Sequence, residues 1–171
     1  MNFFNNYKEK VVKYDLINKF TYSSITKIPK LKYLILNFNL KKLDNKALII
    51  LLSSLKLITL QNSKITVSKI SNVVFKIRKG QPIGCKITLR NLKMNRFLFK
   101  LLNKTFPQKK LNKINDNQTF SFRLKNVLIF DELEQNYQFF KNLPYLKIHL
   151  KTTKCTFQEF CYLIKSYKLL V

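Results

Sequence analysis

Lys86, Thr88 and Arg90 recur at every second residue of Cys85-Lys86-Ile87-Thr88-Leu89-Arg90. On an extended backbone successive side chains point to opposite faces, so this spacing lines up an ammonium, a hydroxyl and a guanidinium on one side. Such a row has the chemistry of an anion site, and the guanidinium fork suits phosphate oxygens best. Cys85, Ile87 and Leu89 then face the other way and pack. The surrounding stretch, Phe75 to Arg90, holds both glycines of the chain, Gly80 and Gly84, with Pro82 between them, which predicts a turn. Alternating Phe75-Lys76-Ile77-Arg78 reads as the limb running into it. Arg78 and Arg90 are two of only four arginines, the others being Arg96 and Arg123.

The remaining titratable residues suggest no catalytic centre. Cys85, Cys155 and Cys161 are odd in number and form no C-x-x-C, so neither a disulfide framework nor a zinc site is indicated. His149, the single histidine, alternates with apolar neighbours and has no carboxylate nearby in sequence. Asp131, Glu132 and Glu134 form the one acidic cluster and read as a surface turned away from polyanions, toward a basic protein. We therefore expect no enzyme activity, no metal and no cofactor.

Lys+Arg 33 against Asp+Glu 8 leaves a net charge of +25 over 171 residues, and the lysines run through the whole length. A hydrophobic content of 46% fits a folded domain with basic faces rather than a basic tail. The expected organisation is one domain, residues 1–171, with a projecting basic arm at 68–82. Abundant Lys, Asn, Ile, Leu, Phe and Tyr, with Gly 2 and Pro 4, match A/T-rich codons and point to an organellar or reduced genome. Met1-Asn2-Phe3-Phe4 leads straight into a helical pattern with no presequence, so the protein is expected to act where it is translated. Ala47 to Leu60, the most apolar run, is too short for a bilayer and contains Ser53, Ser54 and Lys56; it reads as a core helix.

The elements that must position the basic row follow from periodicity. Asn6 with Glu9 reads as a helix start, followed by an apolar stripe of Val12, Leu16 and Phe20. Lys30 to Asn37 reads as a strand buried on both faces for part of its length, and Asp44 caps a second helix. Lys64 to Val67 is a short strand leading into the arm. Met94, Phe97, Leu98 and Leu101 line a helix that stops by Pro107, with Lys93, Arg96, Lys100 and Lys104 as a basic stripe. Gln108 to Gln118 reads as a surface loop. Phe120 to Leu124 and Leu146 to Lys151 alternate as strands, the latter with Lys147, His149 and Lys151 outside, and Thr156 with Glu159 forms a capping box for a last helix. The fold class is α+β: a mainly antiparallel sheet backed by helices on one face, leaving a basic face free.

Three motifs now carry more than periodicity. Phe75-Lys76-Ile77-Arg78, Gly80-Gln81-Pro82-Ile83-Gly84-Cys85-Lys86 and Thr88-Leu89-Arg90, in this order, resemble the bacterial-type family of ribosomal protein five of the large subunit, which binds 5S rRNA. Tyr7-Lys8, Val11-Val12, Tyr22 to Pro29, Leu36-Asn37, Ile129-Phe130 and Thr152-Thr153 extend the likeness over nearly the whole chain. The resemblance implies a ribonucleoprotein of the central protuberance that supports translation. Asn37, Gln61, Thr88 and Arg90, with Lys86 beside them, would lie on the rRNA face. Lys69, Asn72, Phe75, Lys76, Arg78 and Lys79 would form an arm facing P-site tRNA. Further partners implied are large-subunit rRNA, neighbouring large-subunit proteins, and small-subunit ribosomal protein thirteen at an intersubunit bridge, with positions in Lys109 to Asn117 or Asp131 to Asn142 as its candidates. This chain departs from the family with Phe38-Asn39-Leu40 in place of a glycine-containing turn and Val74 in place of a glycine. A mitochondrial ribosome is the expected location, a plastid remnant or the cytoplasm of an A/T-rich bacterium the alternative, and no membrane association is expected. The rival function is an organelle-encoded maturase or nuclease that binds RNA or DNA; the paired acidic motif of one major nuclease class is absent.

Overall fold

Alternation of apolar and polar residues sets the sheet, and apolar stripes at helical spacing set what covers it. The computed structural model describes residues 6–40, 44–105, 114–116, 118–167 and 169. It is an α+β fold with a mainly antiparallel sheet. We number the strands β1 (Leu31–Asn39), β2 (Lys64–Val67), β3 (Pro82–Leu89), β4 (Ile114–Asp116), β5 (Thr119–Leu124) and β6 (Leu146–Thr152). Their order in the sheet is β2-β3-β1-β6-β5-β4, with β2 antiparallel to β3 and β4 antiparallel to β5. Helix α1 begins π-helical at Lys8–Val12 and continues as α-helix through Lys13–Lys19; the others are α2 (Asn45–Thr59), α3 (Asn91–Thr105), α4 (Asp131–Glu134), α5 (Tyr137–Phe140) and α6 (Phe157–Ser166). Contacts gather into two compact units, one formed by the described residues of Ile35–Thr88 and Arg123–Ile148, the other by the rest.

In the first unit α2 buries Leu48, Leu51, Leu55 and Ile58, and packs against α4 and α5. Its two buried hydroxyls are satisfied within the helix: Ser54 Oγ donates to the Leu51 carbonyl at 2.9 Å and Thr59 Oγ1 to the Leu55 carbonyl at 2.7 Å. Asp44 stands at the N-cap as expected, although its side chain accepts no capping bond. The helix ends on Leu60 in the left-handed conformation (φ 53°), with the Leu60 N–H donating to the Lys56 carbonyl at 2.8 Å. That cap is where glycine is usually found, and Leu60 is 73% exposed, so no packing compensates for its strain.

In the other unit α1 packs against α6; α1 buries Val12 and Leu16, and α6 buries Phe160, Leu163 and Ile164. The capping box of α6 is complete: the Thr156 N–H donates to Glu159 Oε2 at 2.7 Å and the Glu159 N–H to Thr156 Oγ1 at 3.4 Å. Helix α3 buries Met94, Phe97, Leu98 and Leu101 and leaves Lys93, Arg96 and Lys104 exposed.

Several sequence expectations are corrected. Phe75 to Arg78 is not an incoming strand. Residues 73–76 are a turn with Lys76 at φ 52°, and the partner of β3 is β2. Of the two glycines only Gly80 (φ 86°) serves a turn. Gly84 lies inside β3, where its backbone comes so close to Phe38 that a Cβ would fall far inside van der Waals contact with the Phe38 carbonyl oxygen. Strand β1 is buried on one face, with Leu34, Leu36 and Phe38 inside and Tyr33, Ile35, Asn37 and Asn39 half-buried, and it ends at Asn39. Asn6 is itself helical rather than a cap, and Ile114–Asp116 is a strand within the expected loop, most of which lies outside the described residues. Two short helices, α4 and α5, occupy a segment too brief to display a period.

Cys85 is fully buried, and burial pushes its thiol from the ordinary 9.0 up to about 12. The folded chain thus holds this proton more tightly than the unfolded one, and the associated stability is lost as pH rises from about 9 toward about 12. Cys155 and Cys161 are half-exposed, and none of the three cysteines is in a disulfide.

Two substitutions test these constraints by thermal unfolding. Gly84→Ala forces a backbone shift of the overpacking kind, costing roughly 1–3 kcal/mol, and should lower the midpoint by several degrees. Leu60→Gly relieves a left-handed strain of about 1 kcal/mol and should raise the midpoint by roughly 2–4 °C; a fall would show that Leu60 is held by packing.

Candidate nucleic-acid interface

Strand β3 presents two members of the predicted row, Lys86 exposed and Thr88 half-buried, with Cys85, Ile87 and Leu89 buried; Arg90 is exposed but lies past the end of the strand. The register adds what periodicity could not supply. Lys64 of β2 stands directly opposite Lys86, Ile65 opposite Cys85 and Thr66 opposite Gly84. Like charges placed directly across antiparallel strands repel. Neither lysine has an ion-pair partner among the described residues, so an anion lying between them would relieve that repulsion.

Gln61 and Asn37 complete this part of the unit. The left-handed cap at Leu60 turns the chain so that Gln61 Nε2 donates to the Thr88 carbonyl at 3.3 Å, fixing Gln61 on β3. Asn37 lies on the half-buried face of β1, and its Oδ1 is buried with no hydrogen-bond partner among the described residues. A buried orphan acceptor is costly. Arg90 falls in the other unit, with its guanidinium 5.9 Å from the centroid of the Tyr33 ring. Within the first unit the structure thus brings together Gln61, Lys86 and Thr88, and adds Lys64, which sequence reasoning missed. The signal for Lys64 was present in the alternation of β2, but cross-strand register is not written in either strand alone.

The arm between β2 and β3 is pinned at its base and open at its tip. The Ser68 N–H donates to the Gln81 carbonyl and the Gly80 N–H to the Ser68 carbonyl, both at 2.9 Å. Further out, Asn72 and Ile77 exchange N–H to carbonyl bonds of 2.8 and 2.9 Å, and the Asn72 Oδ1 accepts from the Phe75 N–H at 3.3 Å. Arg78 is tied back through its own N–H to Gln81 Oε1 at 2.7 Å, leaving the guanidinium exposed. Lys69, Asn72, Phe75, Lys76, Arg78 and Lys79 are all exposed, and the tip residues Val73 and Val74 are 91% and 85% exposed. An apolar tip between cationic shoulders suits a partner with flat apolar surface and negative charge, which describes nucleotides.

No helix among the described residues is long and apolar enough to cross a membrane, and no group of three His, Cys, Asp or Glu among them could hold a metal. Half-buried Lys147, His149 and Lys151 alternate with buried Leu146, Ile148 and Leu150 on β6, as predicted. Asp131, Glu132 and Glu134 occupy the first turn of α4, where carboxylates complement the free N–H groups of a helix start.

A basic α+β protein with an unpaired cationic strand edge and an apolar-tipped basic arm belongs among proteins shaped for a polyanion. Comparison with known proteins narrows this to one family. A family model describing the C-terminus of the family of ribosomal protein five matches residues 82–170. The large ribosomal subunit protein uL5m of Reclinomonas americana is 32% identical over 177 aligned residues, covering 99% of this chain and 97% of that protein. Proteins named large ribosomal subunit protein uL5 from Nitrosomonas europaea (31% identity, 95% of this chain, 93% of that protein) and Malacoplasma penetrans (34%, 95% and 90%) align over comparable lengths. The chain belongs to the bacterial-type family of ribosomal protein five of the large subunit.

The Lys64–Lys86 pair makes a direct prediction for the free protein. Raising sodium chloride should raise its thermal midpoint by screening repulsion, and Lys64→Gln should raise the low-salt midpoint and flatten the salt dependence. An unchanged slope would mean that these two charges do not sense each other.

Proposed function

We propose that this chain is a structural constituent of the large ribosomal subunit and holds ribosomal RNA on the strand edge formed by β2 and β3. The observation that carries this reading is the unpaired cross-strand pair Lys64–Lys86, beside Gln61 and Thr88, in a chain of net charge +25. Phosphate contacts supply the affinity, and the hydroxyl and amide groups of Thr88, Gln61 and Asn37 read ribose and RNA shape. Family membership supports 5S rRNA at the central protuberance as the ligand, P-site tRNA as the partner of the arm, and small-subunit protein thirteen and neighbouring large-subunit proteins as protein contacts. The protein acts by binding and carries out no catalysis. Its likeness to a protein named uL5m and its A/T-biased composition support a mitochondrial ribosome.

Crosslinking the protein in place and sequencing the attached RNA tests this. Reads should concentrate on 5S rRNA or on the central protuberance of the large-subunit rRNA. Reads scattered over introns and messengers would overturn the reading in favour of a maturase or nuclease. In vitro, neutralisation of about six phosphates gives a log-log salt slope of roughly −4 to −5. Lys64→Gln and Lys86→Gln should each reduce that slope by about one while the circular dichroism of the fold is retained.

A further inference from the structure

A second cationic feature lies in the same unit, away from the β2–β3 edge. Arg123 occupies an exposed position on β5 between buried Phe122 and Leu124, and Lys147 a half-buried one on β6 between buried Leu146 and Ile148. Strands β5 and β6 are neighbours in the sheet. Both cations converge on Tyr145, which immediately precedes β6 and is 39% exposed: the guanidinium carbon lies 5.4 Å and the ammonium nitrogen 6.0 Å from the ring centroid. Neither cation has an ion-pair partner among the described residues. Gathering two like charges around one ring raises their repulsion, and the π face offsets part of it.

The cluster offers a flat aromatic surface, a planar guanidinium able to stack or to grip phosphate bidentately, and a point charge beside them. Its chemical complement is a nucleotide, with its base laid against the ring or the guanidinium plane and its phosphate held by the cations. The nucleotide must be unpaired, because a base inside a duplex already has both faces covered by its neighbours. We propose that Arg123, Tyr145 and Lys147 form a stacking site for one unpaired nucleotide of RNA, separate from the Lys64–Lys86 edge. This site rests on the reading that the partner is RNA, and the two can fail independently.

The chain contains no tryptophan, so Tyr145→Trp introduces a single reporter that keeps the stacking surface. The probes are a single-stranded oligoadenylate and a blunt RNA duplex of equal length, each end-labelled so that anisotropy reports total binding. The single strand should quench the tryptophan saturably and the duplex should not. Adding Arg123→Gln or Lys147→Gln should raise the quenching midpoint several-fold, because each removes a cation held against the phosphate. Binding by anisotropy without quenching, or equal quenching by the duplex, overturns the stacking site and leaves the β2–β3 interface standing. Absence of any RNA binding overturns both. Ultraviolet crosslinking of the unsubstituted protein to the single strand supplies a check independent of folding in the variants. A nucleotide adduct should appear on the peptide carrying Tyr145, and adducts confined to other peptides overturn the proposal.

Discussion

With thirty-three cations and eight carboxylates, ion pairing cannot hold this fold together, and apolar burial has to do so against the chain's own repulsion. The consequences run through the architecture. Strands β1, β3, β5 and β6 each commit one face to leucine, isoleucine or phenylalanine, and α2, α3 and α6 commit a stripe. Lysines are thereby left to the remaining positions, and they far outnumber the carboxylates that could pair with them. A free protein of this kind is held in a compromise that a polyanion relaxes, so its stability and its binding are two readings of one electrostatic quantity.

Much of the fold was legible because period and position agree. The alternation of Cys85 to Arg90 and of Leu146 to Lys151, the apolar stripe of α3 and the capping box of α6 are local facts, and local facts survive folding. What escaped was non-local. Whether Lys64 stands opposite Lys86 or one residue away depends on register, which arises from packing of both strands. The gathering of Arg123 and Lys147 on Tyr145 depends on β5 and β6 being neighbours, which their intervening short helices conceal.

The turn chemistry around Gly80 and Gly84 shows a second kind of illegibility. Two glycines flanking a proline look alike in sequence, yet one answers to backbone torsion and the other to a neighbouring carbonyl. Local reasoning sees only the first demand. Pro82 accordingly opens a strand, a position where its missing N–H costs little.

Gly80 and Gly84 also bear on the history of the coding sequence. A genome drifting toward A and T would press against glycine codons, and this chain has two glycines. Leu60, Lys76 and Asn91 occupy left-handed backbone at φ 53°, 52° and 48°, within the narrow well that side chains can enter at a modest cost. Gly80 at 86° lies beyond that well, and Gly84 has no room for a methyl group. Stereochemistry would therefore filter such mutational pressure residue by residue, because at these two positions any side chain is strained or has no room.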